Sequence, residues 1–181
     1  MTSIIIIAIA IVLLAWGVGM QNKFVKLDEY CKNALKQINV QQLSRYDALK
    51  ALVKLTRDYA SYESETLEKI VSARKITSAP APSVEQINAN QSALNELAGR
   101  LIAVSERYPE LKANEQYGKT IDSIKEYEDQ VRLSRMTFND TVTKYNKQVR
   151  MFPGSLVAGI LGFSAREYLA EDVTKTEYPQ I

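Results

Sequence analysis

The first 22 residues carry no charged side chain, and residues 4–20 read IIIIAIAIVLLAWGVGM ahead of the first basic residue, Lys23. At 1.5 Å per residue the uncharged stretch makes about 33 Å of helix, enough to cross a hydrocarbon core of about 30 Å. A secretory signal peptide needs a basic region before its apolar run, and Met1-Thr2-Ser3 has none. Gly17-Val18-Gly19 offers a passable cleavage pattern, but the stretch reads better as a retained membrane anchor. Lys23, Lys26, Lys32 and Lys36 follow the anchor and no Lys or Arg precedes it. Basic flanks stay inside, so the amino terminus is expected outside the cell membrane and the rest in the cytoplasm.

Composition removes whole classes of chemistry. The chain has no histidine, which excludes His-based acid–base catalysis, Ser-His-Asp and Cys-His nucleophile systems and most zinc or di-iron sites. A single cysteine, Cys31, cannot form an intrachain disulfide. With 23 basic and 21 acidic residues among 181, no strong field for nucleic acid arises. No catalytic residue, metal site or cofactor is expected, and the protein is not expected to be an enzyme.

The rest of the chain reads as helices. From Lys23 to about Ser78 there is no glycine or proline, and apolar residues recur at Leu27, Tyr30/Cys31, Ala34, Ile38, Leu49, Leu52, Leu55 and Tyr59, continuing to Leu67, Ile70 and Ala73. Spacings of three and four describe an amphipathic helix. A break is expected around Gln41–Asp47, where the stripe turns polar. Ala79-Pro80-Ala81-Pro82 is a linker. Ser83 with Gln86 three residues on forms a capping-box pattern for a second helix, whose face is Val84, Ile87, Leu94, Leu97, Leu101, Val104 and Tyr108. Pro109 stops that helix and Asn114 can cap a third. The third has the cleanest register, Tyr117, Ile121, Ile124, Val131, Phe138, Val142, Tyr145, Val149 and Phe152, before Pro153-Gly154.

The expected fold is all-α: an N-terminal transmembrane helix, then an elongated antiparallel bundle of three to four long helices with a short apolar C-terminal segment. The boundaries are 1–22 for the anchor, 23–163 for the bundle and 164–181 for a polar tail. Helix lengths of about 39 Å for 83–108 and about 58 Å for 114–152 leave the third outrunning the second by about 20 Å. Val142, Tyr145 and Val149 then need cover. Either the first helix folds back near residue 45, or residues 155–163 or a second chain supply it. Whether the anchor runs unbroken into the first bundle helix stays open.

Four stretches resemble the LemA family of anchored bacterial helical proteins: Gln37-Ile38-Asn39-Val40-Gln41 through Arg45-Tyr46-Asp47; Tyr108-Pro109-Glu110-Leu111-Lys112-Ala113-Asn114; Phe138-Asn139-Asp140 with Val142 and Tyr145-Asn146; and Phe152-Pro153 with Gly162-Phe163. Their order and spacing agree over 37–163. The family usually has Asp at the place of Asn39 and Pro at the place of Lys50; losing that proline favours a continuous first helix. The resemblance implies a membrane-attached, helical, non-enzymatic protein and lends no biochemical activity.

Two groups of residues are candidates for function. The first is an inter-helix polar network of Arg45, Asp47, Glu63, Glu128, Arg135 and Asn139. Glu128 and Arg135 fall at heptad places of the third helix, and charges facing a core are costly unless paired. Ion pairing with the first helix is favoured over a ligand site. The second is Leu156, Val157, Ile160, Leu161 and Phe163, within the apolar run SLVAGILGF, as a contact for membrane or partner. The run lacks the basic face of an interfacial helix, which favours a cap on the bundle. Glu63, Glu65 and Glu68 read as a solvated face, and Cys31 as a small packed group in preference to a palmitoylation site.

The functional expectation is a non-enzymatic, single-pass scaffold or adaptor whose bundle engages proteins or copies of itself at the membrane. The lipid bilayer is a partner through residues 1–22 and nucleic acid is not. The alternative is a ligand- or signal-sensing bundle using the polar face between helices.

Overall fold

A 55-residue α-helix, α1 (Thr2–Thr56), runs from the apolar start of the chain far into the bundle. The computed structural model describes residues 1–57, 59 and 81–170. After α1 come α2 (Val84–Arg107), α3 (Pro109–Lys112), α4 (Glu115–Arg150) and α5 (Gly154–Leu161), and every regular element among the described residues is helical. The expected stripe at Leu67, Ile70 and Ala73, the acidic face at Glu63, Glu65 and Glu68, and the end of the tail lie outside the described residues, as does the first part of the proline linker.

The chain divides into two compact units: Met1–Ala34 with Thr137–Tyr168, and Leu35–Met136 with the chain from Leu169 onward. α1 and α4 supply residues to both.

The expected break at Gln41–Asp47 is absent; α1 passes through it as helix. The reason lies in which residues α1 buries. Phe24, Cys31, Ile38, Arg45 and Leu52 are buried and seven apart, and Leu35, Gln42, Leu49 and Thr56 form a second buried series at the same interval. Together they make an unbroken heptad seam. Gln42 and Arg45 do not interrupt it; they occupy core places, and Gln42 Nε2 and both Arg45 Nη atoms donate to groups on neighbouring helices.

In the second unit, α2 starts as its sequence requires. The Ser83 hydroxyl accepts from the Gln86 N–H at 3.2 Å, and the Gln86 side chain accepts from the Ser83 N–H at 2.9 Å. Ile87, Leu94, Leu97, Leu101 and Val104 are buried on one face, with Gln91 among them. Pro109 ends this helix and opens the single turn of α3. Asn114 then caps α4 by accepting from the Tyr117 N–H at 3.0 Å. The apolar core joins Leu49, Leu52 and Val53 of α1 to Leu94, Leu97, Leu101 and Val104 of α2, Leu111 of α3, and Tyr117 and Ile124 of α4.

Hydrogen bonds give the directions. Gln42 meets Ile87 and Gln91, and Arg45 meets Asn95, so α1 and α2 run the same way here. The Tyr117 hydroxyl donates to the Leu101 carbonyl while Arg135 reaches Asn88, so α4 runs antiparallel to α2.

In the first unit the end of α4 buries Phe138, Val142, Tyr145 and Val149. These residues need neither a folded-back first helix nor a second chain, because Phe24 and Cys31 of α1 and the returning segment 154–168 belong to the same unit. Helix α4 ends at Arg150, and Phe152, expected on its buried face, is 78% exposed.

Arg45→Ala removes the inter-helix hydrogen bonds to Asn95 and Glu128 and leaves a cavity, and should cost about 3 kcal/mol of stability. Asp47→Ala, at an exposed position, should change it by less than about 0.5 kcal/mol. Chemical denaturation of the two variants checks both. Equal, small effects would mean that Arg45 does not sit in the seam.

Candidate functional site

Two residues of the polar network, Arg45 and Glu128, meet between helices. Arg45 is 2% exposed; its Nη1 donates to Asn95 Oδ1 at 2.8 Å and its Nη2 pairs with Glu128 Oε2 at 3.2 Å. The Glu128 side chain is 46% exposed, so the pair joins a buried guanidinium to a carboxylate at the rim. Gln42 Nε2 donates to the Ile87 carbonyl at 2.9 Å and to Gln91 Oε1 at 3.3 Å, and Gln91 passes a bond to Asn95 at 3.4 Å. This places a polar layer across α1, α2 and α4. It holds register, because a one-turn slip of any helix would bury these groups against apolar side chains.

The other members fall elsewhere. Arg135 is buried, and one of its nitrogens donates to the Ala170 carbonyl at 2.6 Å and to Asn88 Oδ1 at 3.2 Å. The carboxylate of Glu128 therefore pairs with Arg45, and Arg135 holds the C-terminal segment instead. Asp47 is exposed, Asn139 belongs to the other unit, and Glu63 lies outside the described residues. An open cleft of about 390 Å³ is lined by Ser44, Asp47, Ala48, Gln116, Lys119, Thr120, Ser123 and Tyr127. Of the network's described residues, only Asp47 lines it. Among the described residues no cluster of three or more His, Cys, Asp or Glu is placed to hold a metal.

The apolar segment makes a distinct arrangement in the first unit. After Phe152-Pro153, Gly154 opens α5 where a Cβ would run into the Gln148 backbone carbonyl and meet the Phe24 ring. Gly162 closes the helix with φ 75°, a left-handed turn that glycine adopts freely, and its N–H and that of Phe163 both return to the Ala158 carbonyl. The turn brings Phe163 against Phe24, with ring centroids 5.2 Å apart. Gly154 and Ala158 are buried, whereas Leu156, Ile160 and Leu161 are exposed and Val157 is half-buried. Only one edge of α5 therefore caps the bundle.

Beyond α5 the chain is strapped to α1. Arg166 donates through Nε to Asp28 Oδ1 at 2.7 Å, and its Nη2 lies 2.6 Å from the same oxygen. Asn146 of α4 clamps the Arg166 backbone, donating to its carbonyl at 2.9 Å and accepting from its N–H at 2.8 Å. The Arg166 guanidinium also lies over the Tyr145 ring. Burial works against the Asp28 carboxylate, but hydrogen bonds from Lys32 and Arg166 outweigh it and hold its pKa below the ordinary 3.8. Cys31 is fully buried beside this pair, and burial pushes its thiol pKa up, which fits a packed group and not an acylation site.

Sequence reasoning missed Phe24, Asp28 and Arg166. The spacing of seven back from Leu52, Arg45, Ile38 and Cys31 would have found Phe24. Asp28 and Arg166 are 138 residues apart, and nothing local links them.

A carboxylate whose folded pKa is lowered contributes stability that is complete above its unfolded value and lost as pH falls through the folded one. Asp28→Asn should therefore cost about 2 kcal/mol at neutral pH, and the deficit should shrink below pH about 4. Thermal unfolding across pH checks this. A deficit constant with pH would mean that the ion pair is not its source.

Known proteins supply the remaining comparison. A stretch of 73 residues is 34% identical to the magnetosome proteins MamQ 1 and MamQ 2 of Paramagnetospirillum magneticum, covering 40% of this chain and 27% of each relative. The magnetosome protein MamQ of Magnetospirillum gryphiswaldense matches at 33% over the same coverage. The chain thus spans about a quarter of the length of these relatives. The profile of the LemA family matches residues 34–181, most of the length, and the chain belongs to the LemA family.

Proposed function

We propose that the protein is a non-enzymatic scaffold or adaptor, held in the cell membrane by residues 1–22, whose cytoplasmic helical bundle engages membrane-associated proteins or further copies of itself. The observation that carries the reading is the single helix α1, which joins an apolar run with no buried residue to residues packed in the bundle. The run is long and apolar enough to span a bilayer, and none of its apolar window is buried in the protein. A helix this apolar, left uncovered by the described residues, finds its complement in lipid. Exposed Lys23 and Lys26 at its end support an orientation with the bundle inside.

The sensing alternative draws less support. Arg45 and Glu128 hold one another, Arg135 holds Asn88 and the Ala170 carbonyl, and the cleft is lined by other residues. A layer of this kind serves to fix the packing of a bundle, which a binding scaffold needs and which leaves its outer faces free for partners.

In cells, the full chain should stay with membranes through alkaline carbonate extraction, and a chain lacking residues 1–22 should be released. Protease added to intact spheroplasts should spare the bundle until the membrane is opened. Crosslinking in native membranes should yield adducts with other proteins or with itself. A carbonate-extractable full chain would overturn the anchor, cleavage in intact spheroplasts the orientation, and an adduct-free monomer the scaffold.

A further inference from the structure

We propose that α5 is a second membrane contact, an interfacial helix that lays its exposed apolar side on the leaflet from which α1 emerges. The inference rests on the reading of residues 1–22 as the anchor and adds a site to it.

Both ends of α5 are tied to one ring: Gly154 packs beside Phe24 at the start, and Phe163 meets it at 5.2 Å just past the end. Phe24 lies four residues beyond Met20, the last residue of the apolar run. Along a helix that is about 6 Å, inside the layer about 5–10 Å deep where interfacial helices lie. The segment 151–163 is the connection between α4 and the strap that climbs to Asp28, so it turns at the anchor's point of exit.

Chemistry agrees with position. α5 reads GSLVAGIL and carries no charge, and what it exposes is apolar: Ile160 at 84%, Leu156 at 60% and Leu161 at 42%, with Phe152 at 78% just before it. Exposed apolar side chains this dense on a short helix mark a surface made to be covered. The basic groups that an interfacial helix usually carries are supplied by its neighbours. Lys23 and Lys26 on α1, and Lys147 and Arg150 in the last turn of α4, are all exposed on the residues flanking the turn. Cations beside apolar side chains match the anionic headgroups and acyl chains of a lipid surface. An apolar groove on a second protein would want no such ring of lysine and arginine.

The test uses the full chain in vesicles of phosphatidylcholine and phosphatidylglycerol, with or without brominated acyl chains, and tryptophan emission as the reporter. Trp16, the one native tryptophan, reports on the anchor. Ile160→Trp in a Trp16→Phe background reports on α5, and Leu156→Trp in the same background repeats the measurement at a second exposed position. The tryptophan at 160 should emit blue-shifted light, lose most of it to bromolipids and be shielded from acrylamide. Quenching of Trp16 with an unquenched, acrylamide-accessible reporter at both 160 and 156 would overturn the inference and leave the anchor standing. Shielding from acrylamide without bromolipid quenching would also overturn it, pointing to a second copy of the chain as the cover. Failure of Trp16 itself to be quenched would overturn the anchor, and the contact of α5 with it.

Discussion

The backbone hydrogen-bond ladder of α1 is the constraint on which the rest depends. A helix carries rotation as well as length, since each residue turns the next by a fixed amount. With no glycine or proline between Lys23 and Thr56, nothing in α1 releases that register. The residues that face the core, at intervals of seven from Phe24 to Leu52, therefore follow from one another along a single face. The same helix begins in the apolar stretch that no other described part of the protein covers. The apolar stretch and the core seam are parts of one helix.

Burying Arg45 at a seam position is costly unless its charge and hydrogen bonds are met. Asn95 and Glu128, on two different helices, accept from its two Nη atoms, and Gln42 and Gln91 extend the layer. Apolar side chains at these places would pack as well in several registers. The polar layer discriminates among them, the role that a single buried amide plays in a coiled coil. Arg135 repeats the device one heptad beyond Glu128, where it fastens the returning C-terminal chain. In the first unit Asp28 and Arg166 do the same near the apolar end of α1. Three ionic or polar fasteners thus hold segments whose apolar contacts alone would not fix their alignment.

Much of the fold was legible because it depends on short-range rules. The capping box at Ser83, the stop at Pro109, the cap at Asn114 and the face from Tyr117 to Val149 all rest on spacings within one or two turns. The error at Gln41–Asp47 came from treating polarity as exposure. Gln42 and Arg45 kept the seven-residue interval, and the interval was the better guide. The candidate site was less legible. The apolarity of residues 155–163 was plain, but which edge packs depends on the turn at Gly162 that folds Phe163 onto Phe24. The pairs Asp28–Arg166 and Arg135–Ala170 join distant positions, and a single sequence holds no trace of either.

Continuity between anchor and bundle is the central claim, and amide hydrogen exchange of the full chain in lipid nanodiscs tests it most directly. If α1 leaves the bilayer as one packed helix, amides across residues 17–28 exchange slowly and together, without a minimum of protection at Gly17–Asn22. Rapid exchange confined to 17–22, with protection on both sides, would reveal a hinge and contradict the account.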